Sequence, residues 1–474
     1  MAPTRWPARV VFVSLFSAIG GLLFGLDLGY LSGCLVMVSF RDDINGGAPI
    51  NDATAGAVTS IFSLGAIMAS FPPVAGMIVD HVSRKGAIVL GALLFAAGAL
   101  LQGAAHGWTS IYAGRVISGC SIGLLSVNVP LYQGELAQPH MRGSMVALYQ
   151  LAITAGIMIA FWLNYAVEAL PSGWRISVLS QLLPGCMLGI GMLWLPQSPR
   201  WLVSVGRLDE AHAALARVRE PHEDVAREIS EISQAFEREM ATGEPTWREF
   251  ASGAMLRRSA VGVMLQLLQQ LCGMNAFLYY GPRIFEQLGT DGFLFSALAG
   301  VVNFVSTFPA IALIDRAGRT VLLKASAAGM ALSCLTLATI GDTCIGDTGC
   351  AYVAAGAIFF FIFNFAYGWG PVVWVYCAEL FPLKYRSKAA GLTTAANWVG
   401  NTCIGYFPPL LISAIGFDTF WIFGAFCALA FAAACRLPET RNRSLEAAVA
   451  ATVTCAGAEQ PTAAMQTMET LKSV

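Results

Sequence analysis

The segment VVFVSLFSAIGGLLFGLDLGYL, residues 10–31, contains a single charged side chain, that of Asp27. A helix rises about 1.5 Å per residue, and roughly 20 apolar residues are enough to cross the hydrocarbon core of a bilayer. The apolar core of a cleaved secretory signal is shorter than this segment. We therefore interpret residues 10–32 as a membrane span, with Arg5 and Arg9 just before it.

The composition of the whole chain also indicates a membrane protein. Of its 474 residues, 56% are hydrophobic and only 12% are charged, whereas about 25% of the residues in soluble domains are charged. The 28 Lys and Arg residues nearly balance the 29 Asp and Glu residues, so no basic surface indicates a nucleic-acid partner. The 12 cysteines are too few for a disulfide scaffold and include no CxxC or Cys/His cluster to hold a metal ion.

Apolar stretches of membrane-spanning length occur six times in each half of the chain. On this basis we predict an all-α integral membrane protein, with twelve transmembrane helices in two pseudo-symmetric six-helix bundles. The predicted spans are 10–32, 55–79, 86–105, 109–131, 144–167, 174–195, 260–282, 293–314, 320–340, 350–377, 389–413 and 417–435. The predicted domains are an N-terminal bundle at 1–195, cytoplasmic linker helices at 196–258, a C-terminal bundle at 259–435 and a cytoplasmic tail at 436–474.

The distribution of basic residues predicts the orientation in the membrane. If the N-terminus is cytoplasmic, the loops on the outside hold only Arg41, Arg175 and Arg283, and Arg115 lies within a span. The other basic residues then fall on the cytoplasmic side, as the positive-inside rule requires. We therefore predict a multi-pass protein of the plasma membrane with both termini in the cytoplasm.

The two halves of the chain carry the same charged motifs in the same order. Such a duplication is typical of transporters in which two bundles rock around a central site. The paired motifs are Asp80 with Arg84 and Asp315 with Arg319, Glu135 with Arg142 and Glu379 with Arg386, and PQSPR at 196–200 with PETRNRS at 438–444.

These motifs resemble the sugar porter family of the major facilitator superfamily, and the resemblance covers essentially the whole chain. The matching segments are GRVISG (114–119), VPLYQGELAQPHMRG (129–143), PQSPRWL (196–202), QQLCGMNAFLYY (269–280), DRAGR (315–319), GPVVWVYCAELFP (370–382) and PETRNRSLE (438–446). One departure is Ser83, where the family usually has glycine. The resemblance implies the major facilitator fold and transport of a monosaccharide, with a hexose such as glucose as the expected substrate.

Side-chain amides within the spans are candidates for binding a sugar, because an amide, like a hydroxyl, both donates and accepts hydrogen bonds. A single amide in a membrane helix more often joins neighbouring helices, but six amides over four spans favour a binding site. They are Gln150, Gln269, Gln270, Asn275, Asn303 and Asn397. By resemblance, Trp374 would stack on the sugar, and Tyr279 and Tyr280 would belong to an outer gate.

Asp27 is the most informative single residue. A charged side chain in hydrocarbon costs at least ~2.5 kcal/mol unless it is paired or faces water, and Arg115 lies at a similar predicted depth, roughly 8 Å below the outer surface. We therefore expect the two to pair. The pair is either a structural salt bridge or a proton switch in which protonation of Asp27 releases Arg115. The resemblance favours the switch, because proton-coupled sugar porters have an aspartate at this position.

A set of charged side chains at the cytoplasmic span ends is predicted to form a gate. Isolated surface charges contribute less than ~1 kcal/mol, but these recur at equal spacing in both halves. In the family, such a set ties the two halves together when the transporter faces outward. The predicted members are Arg84, Glu135, Arg142, Arg200, Arg316, Glu379, Arg386 and Glu439.

The favoured interpretation is a monomeric monosaccharide–proton symporter that uses the proton as its coupling ion and needs no cofactor. Its expected partners are the sugar, the proton and the lipid bilayer. A facilitative uniporter is the alternative within transport, and a sugar sensor of the same fold is the alternative outside it. An enzyme is disfavoured because no Ser/His/Asp set or phosphate-binding glycine loop accompanies the spans. Cys344 could bond to Cys350 or either could bond to Cys34, and free thiols are equally consistent with the sequence.

Overall fold

The computed structural model of the chain describes residues 8–138, 141–243, 246–250, 253–341, 343, 347–381 and 385–440. Its regular elements are the α-helices α1 to α21 and a 3₁₀ turn at Gly416–Asp418. The prediction of an all-α fold is therefore confirmed for the described residues.

The N-terminal half consists of helices α1 to α9. Two of its spans are built from two helices each, α1 with α2 and α8 with α9. The helices are α1 (Ala8–Ser17), α2 (Ile19–Cys34), α3 (Val38–Asn45), α4 (Asp52–Ser70), α5 (Pro72–Gly103), α6 (Trp108–Leu136), α7 (Arg142–Val167), α8 (Gly173–Ser180) and α9 (Leu182–Met192).

Four short helices connect the halves. They are α10 (Pro199–Ser204), α11 (Leu208–Ala216), α12 (Val225–Thr242) and α13 (Trp247–Phe250). Leu202 and Ala211 form a small buried core against which Ile229 packs, so α10, α11 and α12 make one folded unit. We call the end of the bundle that carries these helices the linker face and the other end the opposite face.

The C-terminal half consists of helices α14 to α21. Gly273, with a φ of 95°, separates α14 from α15, and Gly368 separates α18 from α19. The helices are α14 (Gly253–Leu271), α15 (Met274–Gln287), α16 (Gly292–Ala317), α17 (Arg319–Ile340), α18 (Thr348–Tyr367), α19 (Trp369–Leu380), α20 (Arg386–Ile415) and α21 (Thr419–Arg436).

The number of spans agrees with the sequence prediction, whereas one boundary differs. Eleven apolar segments of the described chain are long enough to cross a membrane, and the last, Lys388–Arg436, is 49 residues long. The 3₁₀ turn divides that segment into α20 and α21, which gives twelve crossings. The second span was expected to continue to residue 79, but α4 ends at Ser70. Proline disfavours the helical conformation of the residue before it, so Pro72 starts a new helix.

Close backbone contacts hold α2 against α7 in the N-terminal half. Gly25 and Gly156 face each other, and a Cβ atom placed on Gly156 would lie 3.0 Å from the Cα of Gly25 and would clash with the carbonyl oxygen of Leu22. Small residues let membrane helices approach in this way. The approach positions α2, and with it Asp27, inside the bundle.

We predict that Gly156→Leu destabilises the protein, because the added side chain must push α7 away from α2. Overpacking of this kind costs about 1–3 kcal/mol of unfolding free energy. Gly356→Leu is the matched control, since a Cβ atom at Gly356 meets nothing within 4 Å. Melting temperatures in one detergent should fall for Gly156→Leu only, and equal melting temperatures for the two variants would show that this contact is not tight.

Candidate functional site

The structure brings Asp27 and Arg115 into direct contact. Asp27 lies on α2 and Arg115 on α6, and their side chains are 1% and 0% exposed. Arg115 Nη1 lies 2.6 Å from Asp27 Oδ2. An ionised carboxylate and a guanidinium therefore compensate each other in a site that is closed to solvent.

The guanidinium of Arg115 has further partners on neighbouring helices. Its Nε donates to the carbonyl oxygen of Val58 at 3.2 Å, and its Nη2 to that of Thr59 at 3.4 Å. Nη1 also approaches the hydroxyl of Tyr30 at 3.3 Å, and the Phe62 ring centre lies 4.6 Å from Cζ. The ion pair thus joins α2, α4 and α6, so its rearrangement would affect the packing of all three.

At the opposite face, α15 closes on the N-terminal half. The side chains of Tyr279 and Tyr280 are buried, and the Tyr280 hydroxyl lies 3.5 Å from the carbonyl oxygen of Ala55. An ion pair of 2.6 Å between Arg283 Nη1 and Asp52 Oδ1 also crosses between the halves. Both tyrosines therefore lie where the sequence expectation of an outer gate requires.

Four of the six predicted amides meet in one hydrogen-bonded cluster between α14, α15 and α20. Asn397 Nδ2 donates to Gln269 Oε1 at 2.6 Å, and Gln270 Nε2 donates to Asn397 Oδ1 at 3.0 Å. Asn275 Nδ2 donates to Gln270 Oε1 at 2.6 Å. We call these four residues the amide cluster. Gln269 Nε2 also donates to the carbonyl oxygen of Trp369, at the break between α18 and α19.

The structure extends the amide cluster with side chains that were not predicted. Gln266 Oε1 accepts from Asn397 Nδ2 at 2.7 Å. Asn401 joins the cluster to the outer gate, because its Oδ1 accepts from the Tyr279 hydroxyl at 2.9 Å and from the Ser63 hydroxyl at 2.5 Å. Gln266 and Asn401 are one helical turn from Gln270 and Asn397, so the spacing of four residues was a usable signal.

Gln150, Asn303 and Trp374 lie outside the amide cluster. Among the described residues, the Gln150 and Asn303 amides have no hydrogen-bond partner and the Trp374 ring has no aromatic partner, and Trp374 is 37% exposed. These three side chains are therefore available to a ligand.

Trp398 is an aromatic contact between the halves that the sequence did not single out. It lies on α20 and its ring centre is 5.3 Å from that of Phe24 and 6.0 Å from that of Phe62. Its Nε1 is buried and has no hydrogen-bond partner in the described part of the chain. Because Phe62 also packs on Arg115, Trp398 connects the ion pair to the C-terminal half.

Two charge clusters at the linker face repeat each other contact by contact. In the N-terminal half, Glu135 accepts from Arg84 Nε at 3.3 Å and from the Ser198 hydroxyl. The Tyr132 hydroxyl donates to the carbonyl oxygen of Pro196 at 2.7 Å. We call this set the N-terminal charge cluster.

The C-terminal charge cluster has the equivalent bonds. Glu379 accepts from Arg319 Nη2 at 2.9 Å and from the Thr440 hydroxyl at 2.6 Å. The Tyr376 hydroxyl donates to the carbonyl oxygen of Pro438 at 3.0 Å. The duplicated motifs of the sequence therefore form duplicated structures, each within its own half.

Not every predicted gate residue joins these clusters. Glu439 accepts from the backbone amides of Arg319 and Thr320, both at 3.0 Å, at the first turn of α17. Arg319 pairs with Glu379, whereas the predicted Arg316 is exposed. Counting four residues from each motif aspartate would have selected Arg319, as it selects Arg84. Arg200 is also exposed, and the side chains of Arg142 and Arg386 lie outside the described residues.

Ser83 shows why glycine is usual at its position. Its φ of 76° lies in the left-handed region, alone among the described residues other than glycine. Side chains rarely adopt this conformation. The Ser83 hydroxyl compensates by donating to Gln197 Oε1 at 3.1 Å and accepting from the Gly86 amide at 3.1 Å.

The linker is anchored to both halves. Arg219 donates to the carbonyl oxygen of Leu136 at 2.8 Å and forms an ion pair with Glu228. At the other half, the Tyr385 hydroxyl donates to Glu249 at 2.7 Å, and this bond to a carboxylate raises the pKa of Tyr385. The linker helices are therefore placed to follow a movement of either half.

Among the described residues, no group of three or more His, Cys, Asp or Glu side chains could hold a metal ion. Cys350 is disulfide-bonded, and Cys34 is a free, buried thiol. Cys34 is therefore not the partner of Cys350, and Cys344 lies outside the described residues.

Comparison with known proteins finds sugar transporters. Residues 13–451 match the family model described as Sugar (and other) transporter. A probable glucose transporter of Neurospora crassa is 35% identical over 93% of this chain and 78% of its own. The galactose-proton symporter of Escherichia coli is 34% identical over 93% of both chains. The xylose transporter of Escherichia coli, in a partially occluded inward open conformation, matches 92% of this chain and 100% of its own, with a TM-score of 0.78 and 25% identity.

We predict that Asp27 and Arg115 depend on each other for stability. Arg115→Met leaves a buried carboxylate without its partner, which costs about 3–5 kcal/mol. The double variant Asp27→Asn/Arg115→Met should unfold at a higher temperature than Arg115→Met alone, because it removes both charges. Thermal unfolding in detergent measures these differences.

The exposed ion pair of Arg227 with Glu231 provides the control, since these side chains are 77% and 62% exposed. Arg227→Met should cost less than about 1 kcal/mol. If the losses of the Asp27 and Arg115 single variants simply add up in the double variant, the pair is not energetically coupled.

Proposed function

The chain belongs to the sugar transporter family, and we propose that it imports a hexose such as glucose together with a proton by alternating access. Members of the family are transporters rather than enzymes, and the twelve apolar crossings make this chain a multi-pass membrane protein. The observation that carries the proposal is the ion pair of Asp27 and Arg115 in the closed, N-terminal side of the bundle.

The sugar side of the proposal uses the amide cluster together with the three available side chains. Amides can exchange their bonds with each other for bonds to sugar hydroxyls at little cost, because each amide donates and accepts. Gln150 and Asn303 would supply further polar contacts, and Trp374 would cover the apolar face of the ring. The glucose and galactose relatives support a hexose substrate.

The proton side uses Asp27. While the carboxylate is ionised, it balances the guanidinium of Arg115 and the three helices stay joined. When the opposite face opens and water reaches the pair, a proton binds to Asp27 and removes its charge. Arg115 then keeps its bonds to the carbonyl oxygens of Val58 and Thr59. A neutral Asp27 can be buried again without an ionic partner, which permits the return step only when the proton is bound.

The membrane potential would then drive accumulation. One proton moving inward through 100 mV contributes about 2.3 kcal/mol, which corresponds to a roughly fiftyfold sugar gradient. A pH difference across the membrane adds to this. The proton-coupled galactose relative supports such a use of the gradient.

We infer that the structure corresponds to an inward-facing state. The halves are bonded together at the opposite face through Arg283 and Asp52, whereas the two charge clusters at the linker face each lie within one half. The solved xylose transporter that it matches is in a partially occluded inward open conformation. In the outward-facing state the charge clusters, with Arg142, Arg200, Arg316 and Arg386, would join the halves at the linker face.

The remaining features of the proposal follow from the sequence. The transporter would act as a monomer in the plasma membrane, with both termini in the cytoplasm and with the proton, rather than a cofactor, as coupling ion. A facilitative uniporter is the second candidate, because the Neurospora crassa relative is named only as a probable glucose transporter. Glucose uptake that does not respond to the proton gradient would decide for it.

We predict that Asp27→Asn abolishes gradient-driven accumulation of glucose in proteoliposomes but retains exchange of labelled for unlabelled glucose. The amide cannot bind and release a proton, so coupling is lost while the sugar path remains. Asp42→Asn is the control, because Asp42 is an exposed acid at the opposite face. Wild type and Asp42→Asn should both accumulate glucose when an inward proton gradient is applied, and accumulation by Asp27→Asn would exclude Asp27 as the coupling group.

We also predict that Gln270→Ala weakens glucose binding about tenfold, because loss of one bonding group in a buried polar site costs about 1–3 kcal/mol. Equilibrium binding of glucose to the purified protein measures the change. Asn128→Ala is the matched control, since Asn128 is a buried amide that bonds within its own helix. A dissociation constant unchanged in Gln270→Ala would remove the amide cluster from the sugar site.

A further inference from the structure

A groove runs along the outside of the N-terminal half, between α1 and the end of α9. Its inner part has a volume of about 390 Å³ and is lined by apolar side chains, among them Phe12, Phe16 and Ile190. Its outer part, of about 420 Å³, reaches the linker face and includes Arg9 and Arg217. Phe12 and Trp194 line both parts, so the groove is continuous.

The apolar walls of this groove face the lipid rather than the centre of the bundle. Phe12 is 60% exposed, Ile190 55% and Trp194 66%, and both α1 and α9 belong to membrane-spanning segments. Large apolar side chains with this exposure within a span contact acyl chains. Trp194, at the end of its span, is where tryptophans mark the boundary between hydrocarbon and headgroups.

Positive charge collects at the linker-face end of the groove. Lys85 Nζ donates to the carbonyl oxygens of Leu193 and Leu195, both at 2.8 Å, and Arg217 Nη2 donates to that of Trp194 at 2.7 Å. These bonds hold two cations beside the last turn of α9. Arg9 is the third cation. Within the described residues, none of the three forms an ion pair with an acidic side chain.

We propose that this groove binds one anionic glycerophospholipid of the leaflet at the linker face. An acyl chain occupies the part lined by Phe12, Phe16 and Ile190. The phosphate lies at Arg9 and Arg217, whose guanidinium groups bind phosphate oxygens through paired hydrogen bonds. A continuous groove that is apolar inside the span and cationic at its boundary matches the two parts of such a lipid.

The chemistry of the groove disfavours other occupants. A zwitterionic lipid brings its own cation next to Arg9, Lys85 and Arg217, and therefore gains less from them. The bound lipid would connect α1 and α9 of the N-terminal bundle to α11 of the linker, because Arg217 follows α11 directly. The lipid is thus a structural ligand at the joint between bundle and linker, independent of the sugar and proton sites.

The test uses the full-length protein in nanodiscs of phosphatidylcholine. Increasing fractions of phosphatidylglycerol or phosphatidylcholine with brominated acyl chains are included, and bromine quenches the fluorescence of a tryptophan in contact with the chain. The Trp194 signal is obtained as the difference between each protein and the same protein carrying Trp194→Phe. We expect brominated phosphatidylglycerol to quench Trp194 at a fraction at least about tenfold lower than brominated phosphatidylcholine.

Two charge variants separate the groove from the general charge of the linker. Arg9→Gln/Arg217→Gln removes two groove charges, and each should contribute about fivefold to the preference for phosphatidylglycerol. Arg207→Gln/Arg227→Gln removes two charges from exposed ion pairs of the linker and should leave the preference unchanged. Glutamine at position 217 can still donate to the carbonyl oxygen of Trp194, which preserves the local fold.

The proposal requires both a preference in the wild type and its loss in the groove variant. It is overturned if the two brominated lipids quench Trp194 equally in the wild type. It is also overturned if the linker variant loses as much of the preference as the groove variant, because general surface charge would then account for the effect.

Discussion

A charged group cannot be left alone in the interior of a membrane protein, and the pairing of Asp27 with Arg115 meets this constraint. The two side chains are buried, lie 2.6 Å apart and bring α2 and α6 together with the backbone of α4. A buried ion pair of this kind gives little net stability but is costly to break on one side only. Only a proton can replace the guanidinium without leaving an uncompensated charge, which makes the pair suited to coupling.

The rest of the site is connected to this pair through aromatic and amide side chains. Phe62 lies on the guanidinium of Arg115 and also on Trp398 of the other half. One turn further along α20, Asn401 bonds to Tyr279 of the outer gate, and its neighbour Asn397 belongs to the amide cluster. The groups assigned to the proton, the sugar and the gate therefore share one continuous set of contacts, through which a change at one group can alter the others.

Much of this organisation could be predicted from the sequence. Span length gave the all-α, twelve-crossing fold, and the cost of a buried charge gave the pairing of Asp27 with Arg115. The duplicated motifs indicated a duplicated structure, and the bonds of Glu135 to Ser198 and of Glu379 to Thr440 show that the repeat extends to individual contacts. The choice of Arg316 over Arg319 was an error of register within a motif and did not affect the pattern.

Other features could not be read from the sequence, because they depend on distances between helices that are far apart in the chain. Trp398 has the composition of any core aromatic, and only the approach of Phe24 and Phe62 from the other half gives it a place between the halves. The groove with Arg9 and Arg217 combines residues about 200 positions apart. Gln150 and Asn303 also lie outside the cluster that their residue type suggested.

The central claim is that Asp27 changes its protonation state during transport, and infrared difference spectroscopy measures this directly. Spectra of the wild type with glucose at acidic pH minus the sugar-free protein at alkaline pH would be compared with the same difference for Asp27→Asn. We predict a carboxylic acid band in the wild type that is absent from the variant, with loss of a carboxylate band when the pair opens. If the two difference spectra are the same in the carboxylic acid region, Asp27 stays ionised throughout and the coupling mechanism is wrong.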